Sequence, residues 1–396
     1  MWLVNQFGRV LYITDIDAAK QNLAKGVQRE ATPAEIKAYK VERKQKLAEW
    51  SADSNSSGIY YQTVRKSPDG YGMSRDLLKS NLFKVGCYLT ENYHEQKVGL
   101  MYNYPYGLGA MRNDVRLLFT MFESTKIPDD WADHLEFADE IFVPSKFCQK
   151  VFREAGFKST VIPLGYNQEA FSFKQRGIAF KEDRPFTFIH YNSFNVRKGF
   201  SEVFNAFTKE FDFNEPVRLI LKTSAPSPSV PIMKSQYPNI DVVWGEYSEE
   251  DLQRLLESAD CMVYPSMGEG FGITPLEAMA TGLPCITVNA HGISEYFNPD
   301  VMMGVDYVEV PAMYNRFKGQ DVGNMVQADE DSLRKQMRSA FSHQTEVLAM
   351  GQDASKYVKK YTYAETAKKL APILNKWKTK EVKKRADSKY LDVEAV

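Results

Sequence analysis

The stretch that decides the fold is Tyr264 to Val288, YPSMGEGFGITPLEAMATGLPCITV. It begins at the end of an apolar run, Cys261–Tyr264, that reads as a buried strand, and Cys285–Val288 at its far end reads as the next one. Between them, Gly268, Gly270 and Gly272 let the backbone turn sharply and approach a ligand with no Cβ in the way. Thr274-Pro275-Leu276-Glu277 then reads as a helix start, with an N-cap threonine, a proline in the first turn and a capping-box glutamate; Gly282 and Pro284 stop the helix. A glycine-rich loop opening a helix beyond the end of a parallel strand aims N–H groups into a crevice, an anion site suited to a phosphate or diphosphate. Glu269 and Glu277, one before the helix and one in its first turn, are expected to face that crevice. Carboxylates are poor partners for phosphate and good acceptors for sugar hydroxyls.

Outward from this segment the chain alternates short apolar runs with helical stretches, the pattern of parallel strands and crossover helices. One series has candidate strands Ile59–Val64, Val98–Tyr102, Leu117–Met121, Glu140–Val143 and Ser159–Ile162. A polar connection, Tyr166–Arg184, leads to a second series at Phe186–Tyr191, Val217–Lys222, Ile240–Trp244, Cys261–Tyr264 and Cys285–Val288. Two Rossmann-like halves in tandem are the simplest α/β reading. The expected domains are an accessory α+β module at 1–50, a Rossmann-like half at 56–166 completed by a C-terminal helix near 360–378, and a second Rossmann-like half at 172–352. In the first module, Thr32-Pro33-Ala34-Glu35 is a second capping-box helix start.

Composition narrows the class. The 396 residues are 43% hydrophobic and 26% charged, enough apolar material for a sizeable core and unlike a disordered chain. Fifty Lys+Arg against 51 Asp+Glu give a net charge of −1, so no global positive field draws the protein to nucleic acid or to an anionic membrane. The basic helix expected at 34–50 is the one local feature that offers a nucleic acid a footing. The first residues show no secretory leader and no run approaches a membrane span, so the expectation is a cytoplasmic protein. Cys87, Cys148, Cys261 and Cys285 lie far apart and read as buried thiols. Asp15-Ile16-Asp17 has a metal-binding DxD form but suits a helix N-cap better, and the five scattered histidines suggest no metal site.

EGFGITPLEAMATGLP resembles the glutamate, seven residues, glutamate signature of the family-4 retaining glycosyltransferases, which have the two-Rossmann GT-B fold. The similarity extends over roughly 58–374 and includes VPSKF at 143–147 and PLGYNQEAF at 163–171; residues 1–50 lie outside it. The resemblance implies that Glu277 binds the ribose hydroxyls of a UDP- or GDP-sugar and that Glu269 lies by the donor sugar. It implies that backbone N–H groups of Phe271, Gly272 and Ile273, in the loop from Gly270 to Thr274, hold the diphosphate, with no cofactor or bound metal required. Arg197 and Lys198 would neutralise the departing diphosphate, and Lys198 matches the family's phosphate-binding lysine. Five residues before Lys198, where the family often has arginine, this chain has Ser193. Gly70 and Gly72 fall in the loop that brings glycines against donor or acceptor, and Lys222 is a further phosphate-contact candidate. Where many relatives place a histidine over the donor sugar, this chain has Phe122 with Glu123 beside it, a candidate for acceptor positioning or proton handling. The implied reaction moves a sugar, with retention of configuration, to a hydroxyl acceptor such as a glycan or lipid-linked sugar. The alternatives are a hydroxylated DNA base as acceptor, or an inactive nucleotide-sugar-binding scaffold.

Overall fold

The computed structural model describes residues 2–5, 10–12, 28–35, 37, 58–63, 70–91, 96–192, 195–224, 236–314, 316–317 and 319–382. The chain divides into two compact units, Met1–Gly58 and Ile59–Val396. In the first unit β1 (Trp2–Asn5) is the centre of an antiparallel sheet, flanked by β2 (Val10–Tyr12) and β3 (Gln28–Glu30). The capping box forms as the sequence suggests. Thr32 N–H donates to Glu35 Oε2 at 2.8 Å, and Glu35 N–H donates to Thr32 Oγ1 at 3.3 Å. The expected first helix, Asp15, Asp17, Ser193 and most of the basic helix at 34–50 lie outside the described residues.

The second unit holds two six-stranded sheets, each wholly parallel. The first comprises β4 (Ile59–Thr63), β5 (Leu89–Thr90), β6 (Val98–Tyr102), β7 (Val115–Phe119), β8 (Glu140–Val143) and β9 (Thr160–Val161), in spatial order β5-β4-β6-β7-β8-β9. The second comprises β10 (Phe186–Tyr191), β11 (Val217–Thr223), β12 (Ile240–Trp244), β13 (Cys261–Tyr264), β14 (Cys285–Val288) and β15 (Met303–Val305), in order β12-β11-β10-β13-β14-β15. All residues of β6, β7, β13 and β14 are buried, as expected for parallel strands covered on both faces. Two such sheets in tandem, each with its crossover helices, make the fold α/β of the GT-B type.

Strand order reverses between β10 and β13, so the loops leaving their C-terminal ends diverge and open a crevice. Helix α1 (Gly70–Lys84) comes after β4, α2 (Trp131–Leu135) after β7, α3 (Lys146–Glu154) after β8 and α4 (Phe200–Glu210) after β10. The second half adds α5 (Glu249–Glu257), α6 (Ile273–Ala280), α7 (Glu330–Ser342) and α8 (Gln344–Tyr357). The last helix, α9 (Tyr363–Thr379), packs against α1, with Thr366 donating to the Pro163 carbonyl at 2.8 Å.

The sequence reading names the connection 166–184 but not the buried cation within it, and it lacks β5, β15 and the hairpin that follows β15. The polar connection 166–184 contains buried Arg176, whose guanidinium donates to the carbonyls of Leu256, Ala259 and Thr281 and thereby ties the C-terminal ends of α5 and α6 together. An antiparallel hairpin, β16 (Tyr307–Pro311) and β17 (Asn324–Ala328), leaves the second sheet and carries its connecting segment to the first half. There Phe317 and Val322 join the cluster of Phe122, Trp131, Leu135 and Phe152. Ser124 donates to the Val322 carbonyl at 2.7 Å, and Thr125 N–H donates to the Asn324 carbonyl at 3.0 Å.

Candidate active site

Arg197 and Lys198 sit on a single 3-10 turn, Val196–Lys198, beyond the C-terminal end of β10. Asn195 caps it, its side-chain oxygen accepting from Arg197 N–H at 3.0 Å. Gly199 follows with φ of 78°, and a Cβ there would stand 2.6 Å from the Pro265 carbonyl oxygen. Only glycine lets the turn press so closely on the end of β13. Met267 N–H donates to the Arg197 carbonyl at 2.8 Å, locking the basic turn to the glycine-rich loop.

Glu269 is the hub between them. Its Oε1 accepts from Lys198 Nζ at 2.7 Å, Ser266 Oγ at 2.7 Å and Tyr264 Oη at 2.8 Å. Arg197 Nη1 lies 3.5 Å from the other oxygen and also donates to the Gly268 carbonyl. Arg197 Nη2 reaches Glu123 Oε1 at 3.7 Å, and the Tyr314 hydroxyl from the hairpin donates to Glu123 Oε2 at 3.3 Å. Burial alone would raise the Glu269 pKa, yet Lys198 and Arg197 outweigh it and hold the carboxyl down to about 2. Burial pulls the Lys198 ammonium down, with Arg197 opposing the support from Glu269, whereas Glu269 and Glu123 override burial at Arg197 and raise its pKa. Two cations, Arg197 and Lys198, and two carboxylates, Glu269 and Glu123, thus stand together at the switch point.

The loop above them corrects two expectations. Of its three glycines only Gly272 has positive φ, 86°. Gly268 and Gly270 serve close approach instead: a Cβ on Gly268 would lie 2.3 Å from the Glu123 carbonyl oxygen, and one on Gly270 2.7 Å from Met121 Cβ. Helix α6 begins at Ile273, with Gly272 as N-cap and no side-chain cap, so Thr274 lies inside the first turn. The left-handed glycine turns the chain earlier than a threonine cap would. Among the described residues no acceptor takes the N–H groups of Phe271, Gly272 or Ile273. The Gly270 carbonyl is held by the Ser145 hydroxyl at 2.8 Å and the Gly272 carbonyl by the Tyr296 hydroxyl at 2.5 Å, so the loop has its acceptors tied and its donors free.

Glu277 closes no capping box. Its side chain is 8% exposed, and no donor among the described residues reaches the carboxylate. Burial, with the charge of Glu249 adding to it, pushes its pKa up to about 8. Glu249, at the start of α5, is itself held by Asn167 Nδ2 at 2.9 Å. The two glutamates of the motif therefore occupy opposite environments, Glu269 among cations and Glu277 beside another carboxylate.

Other expected residues fall elsewhere. Lys222 is 5% exposed at the end of β11, where its ammonium donates to the Thr223 and Gly245 carbonyls at 2.9 and 2.8 Å, so strand-end carbonyls occupy it rather than a phosphate site. Gly70 and Gly72 are not in a loop but in the first turn of α1. They flank Tyr71, whose hydroxyl accepts from Met121 N–H at 2.9 Å and so fixes the segment leading to Glu123. His190 is buried with its Nδ1 2.9 Å from the Val263 carbonyl, a structural pairing. The sequence reading missed Tyr264, Ser266 and Tyr314. The first two stand within the quoted YPS, where a hydroxyl at each end of a strand exit was the available signal; Tyr314 had none. Among the described residues no group of three His, Cys, Asp or Glu is placed to hold a metal, and no helix is long and apolar enough to cross a membrane.

Residues 172–305, which hold the basic turn, the loop and α6, match the family model described as Glycosyl transferases group 1. A putative glycosyltransferase 41 of Sulfolobus islandicus filamentous virus is 26% identical over 157 residues, 40% of this chain and 42% of the viral protein. The MMP alpha-(1->4)-mannosyltransferase of Mycolicibacterium hassiacum is 42% identical over 53 residues, 13% of either chain. The matched stretches thus span less than half the length of these relatives. Among solved structures, sucrose-phosphate synthase from Thermosynechococcus elongatus superposes with a TM-score of 0.61 at 15% identity, covering 81% of this chain and 98% of that one. Anabaena HepE in complex with UDP and glucose gives 0.59 at 14% identity over 80% and 99%. The chain is a GT-B protein whose residues 172–305 carry the glycosyl transferases group 1 match.

Proposed function

We propose that the protein is a family-4 type retaining glycosyltransferase that moves a sugar from a nucleoside-diphosphate donor to a hydroxyl acceptor. The observation that carries this reading is the convergence at one switch point of Lys198, Arg197 and the free N–H groups of Phe271, Gly272 and Ile273. A diphosphate placed there meets two cations and a helix N-terminus, which stabilise the negative charge that grows as the glycosidic bond breaks. Glu277, unpaired and shielded from water, accepts ribose hydroxyls in this scheme; Glu269 keeps Lys198 and Arg197 in place beside the sugar. With no nucleophile required, the leaving phosphate takes the acceptor's proton, and the enzyme supplies orientation and charge. Glu123, held between Arg197 and Tyr314, lines the acceptor side. That HepE was solved with UDP and glucose supports a UDP-sugar donor.

The test is incubation of the purified chain with a panel of UDP- and GDP-sugars, with and without simple glycosyl acceptors, followed by detection of released nucleoside diphosphate. Release with one donor that Glu277→Ala abolishes supports the reading. A thermal shift with nucleotide but no release from any donor would favour a donor-binding scaffold.

A further inference from the structure

Among the described residues only Asp183 and His291 have positive φ without being glycine, each at 51°. Asp183 lies in an exposed turn, where aspartate is at ease. His291 opens the 3-10 turn His291–Glu295 beside the glycine-rich loop; histidine, like aspartate, is among the side chains met in left-handed backbone, and here that backbone sets where a buried ring leaves the chain.

Two more observations concern the same ring. Nδ1 is buried without a hydrogen-bond partner, one of few such atoms among the described residues. It faces Gly268, where a Cβ would stand 3.3 Å away, and the next residue, Gly292, donates its N–H to the Glu269 carbonyl at 2.8 Å. The ring is stacked on Phe147 with centroids 4.5 Å apart, so its direction is fixed from the far side. Burial lowers its pKa to about 4, with Arg197 also lowering it and Glu309 and Glu269 opposing, which leaves a neutral imidazole near pH 7. A neutral, oriented and unsatisfied imidazole covered by a glycine edge lacks a hydrogen-bonding group from elsewhere.

We propose that His291 contacts the donor sugar, its Nδ1 hydrogen-bonding a hydroxyl of the sugar held against the Gly268–Phe271 loop and so distinguishing a nucleotide-sugar from the bare nucleoside diphosphate. The inference rests on the nucleotide-sugar reading of the site. Three proteins test it: wild type, His291→Gly, which relieves the backbone, and His291→Asn, which tolerates the left-handed conformation and places a polar atom near the Nδ1 position. Calorimetry with UDP, GDP and the corresponding nucleotide-sugars, alongside melting temperatures, gives the readout. His291→Gly is expected to keep or raise the melting temperature and to bind the nucleoside diphosphate as wild type does. It should bind the nucleotide-sugar about tenfold to a hundredfold more weakly, with His291→Asn recovering most of the loss. Unchanged nucleotide-sugar affinity in His291→Gly, or equal weakening for both ligands, overturns the inference and leaves the proposed function standing. Wild type that binds no nucleotide-sugar in the panel overturns both.

Discussion

Lys198 Nζ lies 2.7 Å from Glu269 Oε1, and both side chains are largely withdrawn from water. The pair joins the basic turn after β10 to the loop after β13 across the switch point, so it serves stability and, in the proposed function, also holds the ammonium in place. Removing one partner leaves the other buried with less compensation. Lys198→Met is expected to cost about 1–3 kcal/mol, less than a full orphaned charge because Arg197 remains beside Glu269. The double variant with Glu269→Gln should regain much of that stability, by chemical denaturation, while regaining no donor turnover.

Glu277 predicts a pH dependence with a definite sign. Its carboxyl holds a proton up to about pH 8 in the folded protein, whereas an unfolded glutamate releases it near the ordinary range. The unfolded state therefore gains charge first, and folding stability falls as pH rises from about 4.5 to about 8, on the order of a kcal/mol per pH unit from this group alone. Above that window no further loss comes from Glu277, and below it none has begun. Glu277→Gln should flatten this part of the stability profile and be more stable than wild type at pH 8. It should also weaken nucleotide binding, because ribose hydroxyls donating to Glu277 favour its ionised form, whose two oxygens both accept, and the amide keeps only one acceptor oxygen.

The hairpin is expected to be an integral part of the first half. Phe317 is 6% exposed and packs on Phe122 with ring centroids 5.7 Å apart. Phe317→Ala should destabilise the protein by about 3–5 kcal/mol and speed amide exchange in α2 and its flanks, although the substituted residue belongs to the hairpin of the second half. Exchange confined to the hairpin itself would contradict this.

Tyr314→Phe removes the hydroxyl that reaches Glu123 and also meets Ser124. Loss of one hydrogen bond should cost about 0.5–1.5 kcal/mol at most. With Glu123 free to swing toward Arg197, the KM for acceptor should rise while the donor KM stays near wild type. A change in donor KM alone would place Tyr314 in the donor site instead.

Much of the fold was legible in the sequence, because parallel strands covered on both faces are written as short unbroken apolar runs. Val98–Tyr102, Glu140–Val143, Phe186–Tyr191, Ile240–Trp244, Cys261–Tyr264 and Cys285–Val288 coincide with the observed strands. The expected strand Leu117–Met121 is observed two residues earlier, at Val115–Phe119, since Arg116 is buried inside it and a polar residue masks the run. Local rules erred where tertiary contact decides. Thr274 satisfies every cap preference, but the tie from Tyr296 to the Gly272 carbonyl and the left-handed Gly272 start the helix earlier. Lys222 was a fair phosphate candidate, but its ammonium donates to the Thr223 carbonyl at the end of its own strand and to the Gly245 carbonyl just after β12. Tyr314 reaches Glu123 across 191 positions of chain, a pairing that no local pattern announces.

The most direct measurement is transfer itself, followed by NMR with α-configured nucleotide-sugars and simple glycosyl acceptors. Wild type is expected to give nucleoside diphosphate and an α-linked product, with product lost in Glu277→Ala and Lys198→Ala variants that still fold. A β-linked product would contradict retention, and folded wild type that releases no nucleoside diphosphate from any donor would contradict the assignment of the site to sugar transfer.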